Sequence, residues 1–149
     1  MQAMTFTKGN KIGRGWKKQT PLSSLVRKLD DVFSVYIRRR AADEGGTVQC
    51  VTCGKLMHWE KDGAQAGHFI RRRHKATRWR ETNVHVQCVG CNKYGNGMEA
   101  EHGKFIIDTY GLAEHHDLLA CKNQIQKWTR LDLEEKINFY NDKLRNLPT

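Results

Sequence analysis

Four cysteines in two Cys-x2-Cys pairs are the residues whose types and spacing indicate the clearest chemistry in this sequence. Cys50 and Cys53 form the first pair, and Cys88 and Cys91 form the second. Two such pairs can supply the four thiolates of a tetrahedral structural zinc site. Because the segment between them is longer than in a simple zinc ribbon, we predict one zinc ion that closes a long loop.

A histidine within that loop, His68, is the candidate general base. Neutral imidazole near pH 7 can take a proton from water, as the hydrolysis of a phosphodiester requires. A basic run follows it and comprises Arg71, Arg72, Arg73, Lys75, Arg78 and Arg80. Together they predict chemistry on a phosphate backbone, and the alternatives are a structural histidine and a solvated charge run. His74 and His85 are second-choice metal ligands, and the preferred interpretation of each is a phosphate contact or a structural hydrogen bonder.

The asparagine directly after the second cysteine pair, Asn92, is the candidate ligand of a catalytic metal ion. Its amide oxygen is a hard ligand of the kind that suits Mg²⁺ or Mn²⁺. A helix cap is the alternative role. Lys93 comes next, and we group it with the basic run as a nucleic-acid contact.

The charge of the chain points to a polyanionic partner. Its 149 residues carry a net charge of +10, and the pI is about 9.6. Such a balance favours nucleic acid first and an acidic membrane surface second. No apolar run approaches the roughly 20 residues that span a bilayer, and the N-terminus lacks the apolar segment of a signal peptide. We therefore expect an intracellular protein, in which paired cysteines bind metal more often than they form disulfides.

The elements that must position these residues are predicted to form one domain, residues 21–149, behind a disordered basic tail, residues 1–20. We divide the domain in chain order into an N-terminal helix at 21–46, a zinc-bound core at 47–97 and C-terminal helices at 98–149. Helices around short strands make this an α+β fold.

The first helix carries a continuous apolar stripe at helical spacing, formed by Leu22, Leu25, Val26, Leu29, Val32, Phe33, Tyr36 and Ile37. Thr20 is predicted to cap this helix, with Pro21 at its first position, and Gly45-Gly46 to end it. The last helix has a similar stripe, formed by Leu133, Ile137, Tyr140, Leu144 and Leu147. Core packing and a dimer seam are the two interpretations of such stripes.

Short strands and further helices fill the rest of the domain. The predicted strands are Thr47–Gln49, Leu56–Glu60, Ala66–Ile70 and Asn83–Val86. The predicted helices begin near Cys91-Asn92 and continue at Met98–Tyr110, Leu112–Ile125 and Thr129–Leu147. The helix at 98–110 is expected to bury Phe105, Ile106 and Tyr110.

Taken together, the motifs resemble those of the HNH, or His-Me finger, nucleases. They are Cys-x2-Cys, Gly-His-Phe around His68, Asn-x-His-x-Gln-Cys-x2-Cys-Asn ending at Asn92, and a following Gly-Asn. The sequence is most similar to the phage NinG/Rap recombination endonuclease family and more distantly to phage endonuclease VII. The resemblance extends from the helix after Pro21 to the last helix. Its specific part is the four cysteines together with Gly-His-Phe and the Cys-Asn that ends at Asn92.

The resemblance implies a zinc-stapled ββα-metal (HNH) core with flanking helices. It also implies cleavage of DNA, dependent on Mg²⁺ or Mn²⁺, at branches such as Holliday junctions and D-loops. His68 would be the base and Asn92 the metal ligand, while Asn83, at the middle asparagine of the motif, would hold the loop that carries the base by side-chain to backbone hydrogen bonds. The setting would be the cytoplasm of a bacterial host, with the gene carried by a phage or prophage.

One position departs from that family pattern. Related sequences carry an acidic residue shortly before the histidine as a further metal ligand, whereas this chain has Gln65. Gln65 offers a neutral oxygen only, and Asp62 and Glu60 are the nearest acidic residues that would substitute for it. Because Gln65 replaces the acidic residue of the family, a DNA-binding domain without catalysis is an alternative interpretation.

The function expected first is therefore a structure-selective DNA endonuclease that acts on branched recombination intermediates. One alternative is an HNH nicking or homing-type endonuclease on duplex DNA, and another is a zinc-stapled DNA-binding module without catalysis. Symmetric cutting of a four-way junction needs two active sites, so we expect a homodimer. Its seam would be the apolar stripe of the first helix or of the last.

Overall fold

The computed structural model describes residues 19–148, so the predicted basic tail lies almost entirely outside the described residues. The helices are α1 (Leu22–Arg40), α2 (Glu99–Tyr110), α3 (Leu112–Cys121) and α4 (Arg130–Arg145). The strands are β1 (Thr47–Gln49), β2 (Leu56–His58), β3 (Gln65–His68) and β4 (Val84–Gln87). A 3-10 turn at Glu81–Asn83 precedes β4, and a short π-helix at Gly90–Tyr94 follows it. The α+β prediction is confirmed.

Two antiparallel hairpins form the sheet structure of the described residues. β1 pairs with β2, with Val48 opposite Met57. β3 pairs with β4, with Gln65 opposite Gln87 at the open end. The backbone N–H of Val51 donates to the carbonyl of Val86 at 2.9 Å and so ties the first hairpin to the second. The loop between β3 and β4, residues 69–83, carries the basic run.

The main apolar core lies between α1 and α4. Its buried residues are Leu25, Leu29, Phe33, Tyr36 and Ile37 of α1, Leu133, Ile137 and Tyr140 of α4, and Trp79 and Val84. The ring centroids of Phe33 and Tyr140 lie 4.9 Å apart in an edge-to-face arrangement, which suits aromatic rings. The core interpretation of both stripes is confirmed. Because the stripes bury one another, a dimer seam would have to use a different surface.

The predicted limits of α1 are wrong at both ends. Pro21, not Thr20, is the N-cap residue, because its ψ of 147° is extended and its carbonyl accepts from Leu25. The helix ends at Arg40, before Gly45-Gly46. Asp43 explains the early end, since its Oδ1 accepts from the backbone N–H of Gly45 at 3.0 Å and of Thr47 at 2.8 Å. Such a turn competes with a further helical turn.

The other elements agree with the predictions except at their ends and on one face. β2 and α3 are shorter than predicted, β3 and β4 are shifted, and α4 begins after Thr129, whose side chain forms a reciprocal capping box with Asp132. α2 buries His102 and Ile106, whereas Tyr110 is 40% exposed. Tyr110 lies at the end of that helix, where its hydroxyl hydrogen-bonds to His85 Nε2 at 3.1 Å. None of the described helices is long and apolar enough to cross a membrane.

Candidate functional site

The four paired cysteines converge as predicted. The sulfur atoms of Cys50, Cys53, Cys88 and Cys91 all lie within 4.8 Å of one another. Cys53 Sγ and Cys88 Sγ are 3.8 Å apart. Tetrahedral zinc with Zn–S bonds of about 2.3 Å places its sulfur ligands roughly 3.8 Å apart, so this donor set can hold a zinc ion.

Local turns bring each pair to the site. Cys50 follows β1, and Gly54, with a φ of +76°, makes a tight turn in which its N–H donates to the carbonyl of Cys50. In the second pair the N–H of Cys91 donates to Cys88 Sγ at 3.4 Å. Burial acts to raise the pKa of Cys50, but hydrogen bonds from the Thr52 hydroxyl and from backbone amides outweigh it and lower that pKa to about 6. The thiolate is the form that binds metal.

His68 is the last residue of β3 and is held in one tautomer. Its Nε2 lies 2.9 Å from the backbone carbonyl oxygen of Arg78. Because a carbonyl only accepts, Nε2 carries the proton and Nδ1 keeps the basic lone pair. Burial, with the nearby charge of Arg72, lowers the pKa of His68 to about 4. The imidazole is therefore neutral at pH 7 with its lone pair on Nδ1, and the lowered pKa makes it a weaker base than an exposed imidazole.

Two polar cavities meet at His68. Their volumes are about 260 Å³ and 200 Å³, and both are lined by Ala66, His68, Arg72 and Asn92. The first is also lined by Asp30, Phe33, Ser34 and Gln65. The second is also lined by Arg71, Asn96 and Gly97. The predicted base, the predicted metal ligand and an exposed cation thus share one site.

Asn92 lies in the π-helix and is hydrogen-bonded to the residue at the departing position. Its Nδ2 donates to Gln65 Oε1 at 2.7 Å, and no described residue hydrogen-bonds Asn92 Oδ1. Neither Asp62 nor Glu60 lines the cavities, so the prediction that they would substitute for the missing acid is wrong. The physical reason is local, because Asp62 Oδ2 instead accepts from the backbone N–H of His58 at 2.7 Å.

Asn83 is fully buried and makes the side-chain to backbone hydrogen bonds predicted for it. Its Oδ1 accepts from the N–H of Ile70 at 2.7 Å. Its Nδ2 donates to the carbonyls of Ile70 at 2.9 Å and Thr77 at 3.0 Å. The Asn83 side chain thus hydrogen-bonds to the backbone in both halves of the loop that follows His68, at Ile70 and at Thr77.

Gly67 makes room for a side chain that links this site to the cysteines. A Cβ atom at Gly67 would lie 2.0 Å from Gln87 Oε1, closer than packing permits. Gln87 is buried and donates to the Thr52 hydroxyl at 3.3 Å and to the carbonyl of Gly97 at 2.9 Å. Packing against Gln87 therefore explains why the Gly-His-Phe motif has a glycine at this position.

The basic residues fall into two groups. Exposed side chains belong to Arg71, Arg72, Arg73, Lys75 and Lys93. Arg78 instead forms an ion pair with Asp30, and Arg80 pairs with Glu114 at 2.8 Å and Asp117 at 2.6 Å. The structure thus shows Arg78 and Arg80 engaged in ion pairs within the chain, and their contact with phosphate stays a prediction. Their acidic partners lie on distant helices, which a local interpretation of charge cannot detect.

Both second-choice histidines take part in internal hydrogen bonds. His74 Nδ1 lies 2.8 Å from the carbonyl oxygen of Lys122. His85 Nδ1 lies 3.0 Å from His102 Nε2, and burial together with the charge of His102 lowers the pKa of His85 to about 3. The sequence patterns did not indicate His102 or Asp30. Asp30 could have been found only from the fact that it is an acidic residue among the apolar residues of α1.

Comparisons with known proteins give a family match. Residues 8–149 match the family model described as Bacteriophage Lambda NinG protein. Protein ninG of Salmonella phage P22 and Protein ninG of Escherichia phage lambda are each 27% identical over 128 residues, covering 85% of this chain and 59% of the relative. Protein ninG of Escherichia phage 933W is also 27% identical, with 60% of it covered. The chain thus spans about three-fifths of these relatives, and no solved structure matches it.

Proposed function

Because this chain belongs to the NinG family, we propose that it is a divalent-metal-dependent DNA endonuclease that cleaves branched recombination intermediates. The observation that carries the proposal is the convergence of His68 and Asn92 on the same cavities, with exposed Arg72 beside them. A base, a hard oxygen ligand and a cation are what phosphodiester hydrolysis requires.

Each side chain has a defined task in this proposal. His68 takes the proton of the attacking water on Nδ1, because its Nε2–H is engaged by the Arg78 carbonyl. Asn92 would hold a metal ion through Oδ1, because its hydrogen bond to Gln65 uses Nδ2 and not Oδ1. Mg²⁺ or Mn²⁺ bound there would stabilise negative charge on the phosphate and the leaving oxygen. Arg72 and Arg71 orient the scissile strand through its phosphates.

The local fold supports the HNH assignment. β3, β4 and the following π-helix run in the order strand, strand, helix, with His68 at the end of the first strand and Asn92 on the helix. We propose that this unit is the ββα-metal core of the domain. Zinc held by the four cysteines would fasten the start of its helix to the first hairpin.

The exposed cations extend the proposed DNA surface beyond the cavities. Arg73, Lys75 and Lys93 are exposed, and a chain with a net charge of +10 is suited to a polyanion. A homodimer remains part of the proposal, since a four-way junction is cut symmetrically only by two active sites. The relatives are phage proteins, so the proposed setting is the cytoplasm of a bacterial host.

A zinc-stapled DNA-binding module without catalysis is the second candidate. Gln65 and Asn92 are both neutral, and Asp30, the one acidic residue lining either cavity, is paired with Arg78. Such a site attracts a divalent cation less strongly than one with a free carboxylate.

A cleavage assay separates the candidates. The zinc-loaded protein is incubated with Mg²⁺ or Mn²⁺ and a four-way junction, a matched duplex or a single strand, with His68→Ala as the control for contaminating nuclease. Cutting confined to the junction supports the proposal. Sequence-dependent cutting of the duplex supports the nicking or homing-type enzyme, and junction binding without cutting supports the non-catalytic module.

A further inference from the structure

Asp30 of α1 accepts three hydrogen bonds from two consecutive residues of the loop after β3. Its Oδ1 accepts from Arg78 Nε at 3.0 Å and from Trp79 Nε1 at 2.9 Å, and its Oδ2 accepts from Arg78 Nη2 at 2.5 Å. The ion pair is shielded, since the side chains of Arg78 and Asp30 are 20% and 15% exposed. The carboxylate therefore fastens this part of the loop to α1.

The same two loop residues supply backbone acceptors to other parts of the site. The carbonyl of Arg78 is the acceptor for His68 Nε2, at 2.9 Å. The carbonyl of Trp79 accepts from the Tyr140 hydroxyl of α4 at 3.2 Å. A neutral imidazole carries its proton on one nitrogen, so the place of the Arg78 carbonyl decides which nitrogen of His68 is basic.

We propose that Asp30 is a positioning residue for His68, holding the Arg78 carbonyl where it selects the Nε2–H tautomer and the ring orientation. Asp30 acts through the backbone of Arg78, because its own oxygens bond to Arg78 and Trp79 and not to the imidazole. It lines the cavity that His68 lines, but its lone pairs are directed at these donors. The catalytic consequence rests on the proposed nuclease function, whereas the tautomer does not.

Nitrogen-15 NMR of the full zinc-loaded chain at pH 7 reads the tautomer without DNA. In the parent protein we expect the His68 ring to give the pattern of a single Nε2–H form. Asp30→Asn has nearly the same shape, but its amide nitrogen cannot accept from Arg78. We expect this variant to show a mixture of both His68 tautomers, and Asp30→Glu, which keeps the carboxylate, to retain more of the Nε2–H form.

Glu114→Gln is the matched control. It breaks the ion pair with Arg80 in the same loop, and these side chains are 23% and 31% exposed. It leaves Asp30 and the Arg78 carbonyl untouched, so the His68 signals should stay as in the parent. Zinc content and the ring signals of His85 and His102 report whether each variant is folded.

Two results would overturn the proposal. One is a single unchanged Nε2–H tautomer in folded Asp30→Asn, and the other is equal mixing in Glu114→Gln. If Asp30→Asn does not fold, Arg78→Lys replaces it, because lysine keeps the charge but cannot make the two-point contact with Asp30. An unchanged His68 tautomer in Arg78→Lys would then count against a positioning role for the contact between Asp30 and Arg78.

Cleavage of a four-way junction tests the consequence for rate. We expect Asp30→Asn to lower the rate by about tenfold to a hundredfold, as a misplaced base does, with an unchanged Kd for the junction. If Asp30→Asn has both the Kd and the cleavage rate of the parent, the contact between Asp30 and Arg78 does not contribute to catalysis. A parent that cuts nothing would refute the nuclease function and leave the NMR result standing.

Discussion

Asn92 and Gln65 hydrogen-bond to each other within the candidate active site, with Asn92 Nδ2 donating to Gln65 Oε1 at 2.7 Å. Both side chains are neutral, and the carboxylate of Asp30 in the same cavity is paired with Arg78. A divalent cation at this site would meet hard but uncharged oxygen. We therefore expect the protein alone to bind Mn²⁺ weakly and the phosphates of DNA to supply the missing charge.

Gln65→Asp should strengthen metal binding by the free protein. The change adds one negative oxygen beside Asn92, and we expect the Kd for Mn²⁺ to fall about tenfold, since ligand charge tunes such sites. Calorimetry or electron paramagnetic resonance of Mn²⁺ without DNA measures it. Gln65→Asn, which has the size of aspartate without the charge, is the control. Equal Mn²⁺ affinity of the two variants would mean that position 65 does not face the metal.

His68→Ala should separate catalysis from binding. The proposed role of the imidazole is proton transfer and not DNA binding. The cleavage rate should therefore fall by about a hundredfold to ten-thousandfold, while the affinity for the junction stays near that of the parent. Asn92→Ala should also stop cleavage, but through loss of the metal. Excess Mn²⁺ should restore part of the activity to Asn92→Ala and none to His68→Ala. Parental cleavage by His68→Ala would remove the residue from the mechanism.

Stripping the zinc should loosen the fold around both cysteine pairs. The metal would join segments far apart in the chain, and its binding energy is partly folding energy. We expect one zinc ion per chain by elemental analysis and a lower Tm for Cys88→Ser or after chelation. Cys121→Ser is the control, because Cys121 lies outside the cluster at the end of α3. A purified parent that holds no zinc, or a Cys88→Ser variant with the same Tm as the zinc-loaded parent, would contradict the structural zinc site.

How much of this site could be predicted depended on the range of the interactions involved. The cysteine cluster and the strands beside it follow from motif spacing, because local turns bring the two cysteines of each pair together. The hydrogen bonds of Asn83 were expected from the family resemblance. The stripe of α1 likewise predicted its buried face. The role of Arg78 could not be inferred from its neighbours, since the partner that decides it, Asp30, lies on α1 and is distant in the chain.

The predicted end of α1 and the predicted burial of Tyr110 were wrong for a related reason. Gly45-Gly46 was the obvious end of α1, but Asp43 reaches the backbone of Thr47 and stops the helix first. Tyr110 followed the apolar period of α2, yet its hydroxyl hydrogen-bonds to His85 at the exposed end of the helix. In both cases a single polar side chain overrode the pattern from which the prediction was made.

Replacing Arg71, Arg72 and Arg73 with Ala should weaken binding to DNA of every sequence. These side chains are exposed, and the slope of log Kobs against log salt should become shallower by roughly 0.9 for each phosphate that the protein no longer neutralises. Fluorescence titrations at several salt concentrations measure it. Replacing exposed Lys55, Lys61 and Lys104 removes the same charge from residues outside the loop, and the slope should change less. An equal effect in both variants would point to overall charge rather than to this surface.

Glu81 joins the loop to both core helices, and its contribution to stability should depend on pH. Its carboxylate accepts from Arg40 and Lys143, each at 2.6 Å, and from the Tyr36 hydroxyl at 3.1 Å. Burial acts to raise the pKa of Glu81, but these partners outweigh it and hold that pKa below its ordinary value of 4.5. We expect Glu81→Gln to lower the free energy of unfolding by about 1 to 3 kcal/mol at pH 7.

The sign of the pH dependence follows from the lowered pKa of Glu81. The unfolded chain takes up the proton first as the pH falls, so the stabilisation is complete above about pH 4.5 and is lost as the pH falls through the lower folded value. Denaturant unfolding of both proteins should therefore give a difference that shrinks from pH 7 to pH 4. Other acid-sensitive groups cancel because both proteins contain them.

Glu134→Gln is the control for that measurement. Glu134 forms an exposed pair with Arg130 within α4, at 3.5 Å, and such pairs contribute about 0 to 1 kcal/mol. Its removal should change the free energy of unfolding little at either pH. If the Glu81→Gln difference stays constant between pH 7 and pH 4, the ionised carboxylate is not the source of the stability. The packing of the side chain between Tyr36 and Lys143 would then account for it.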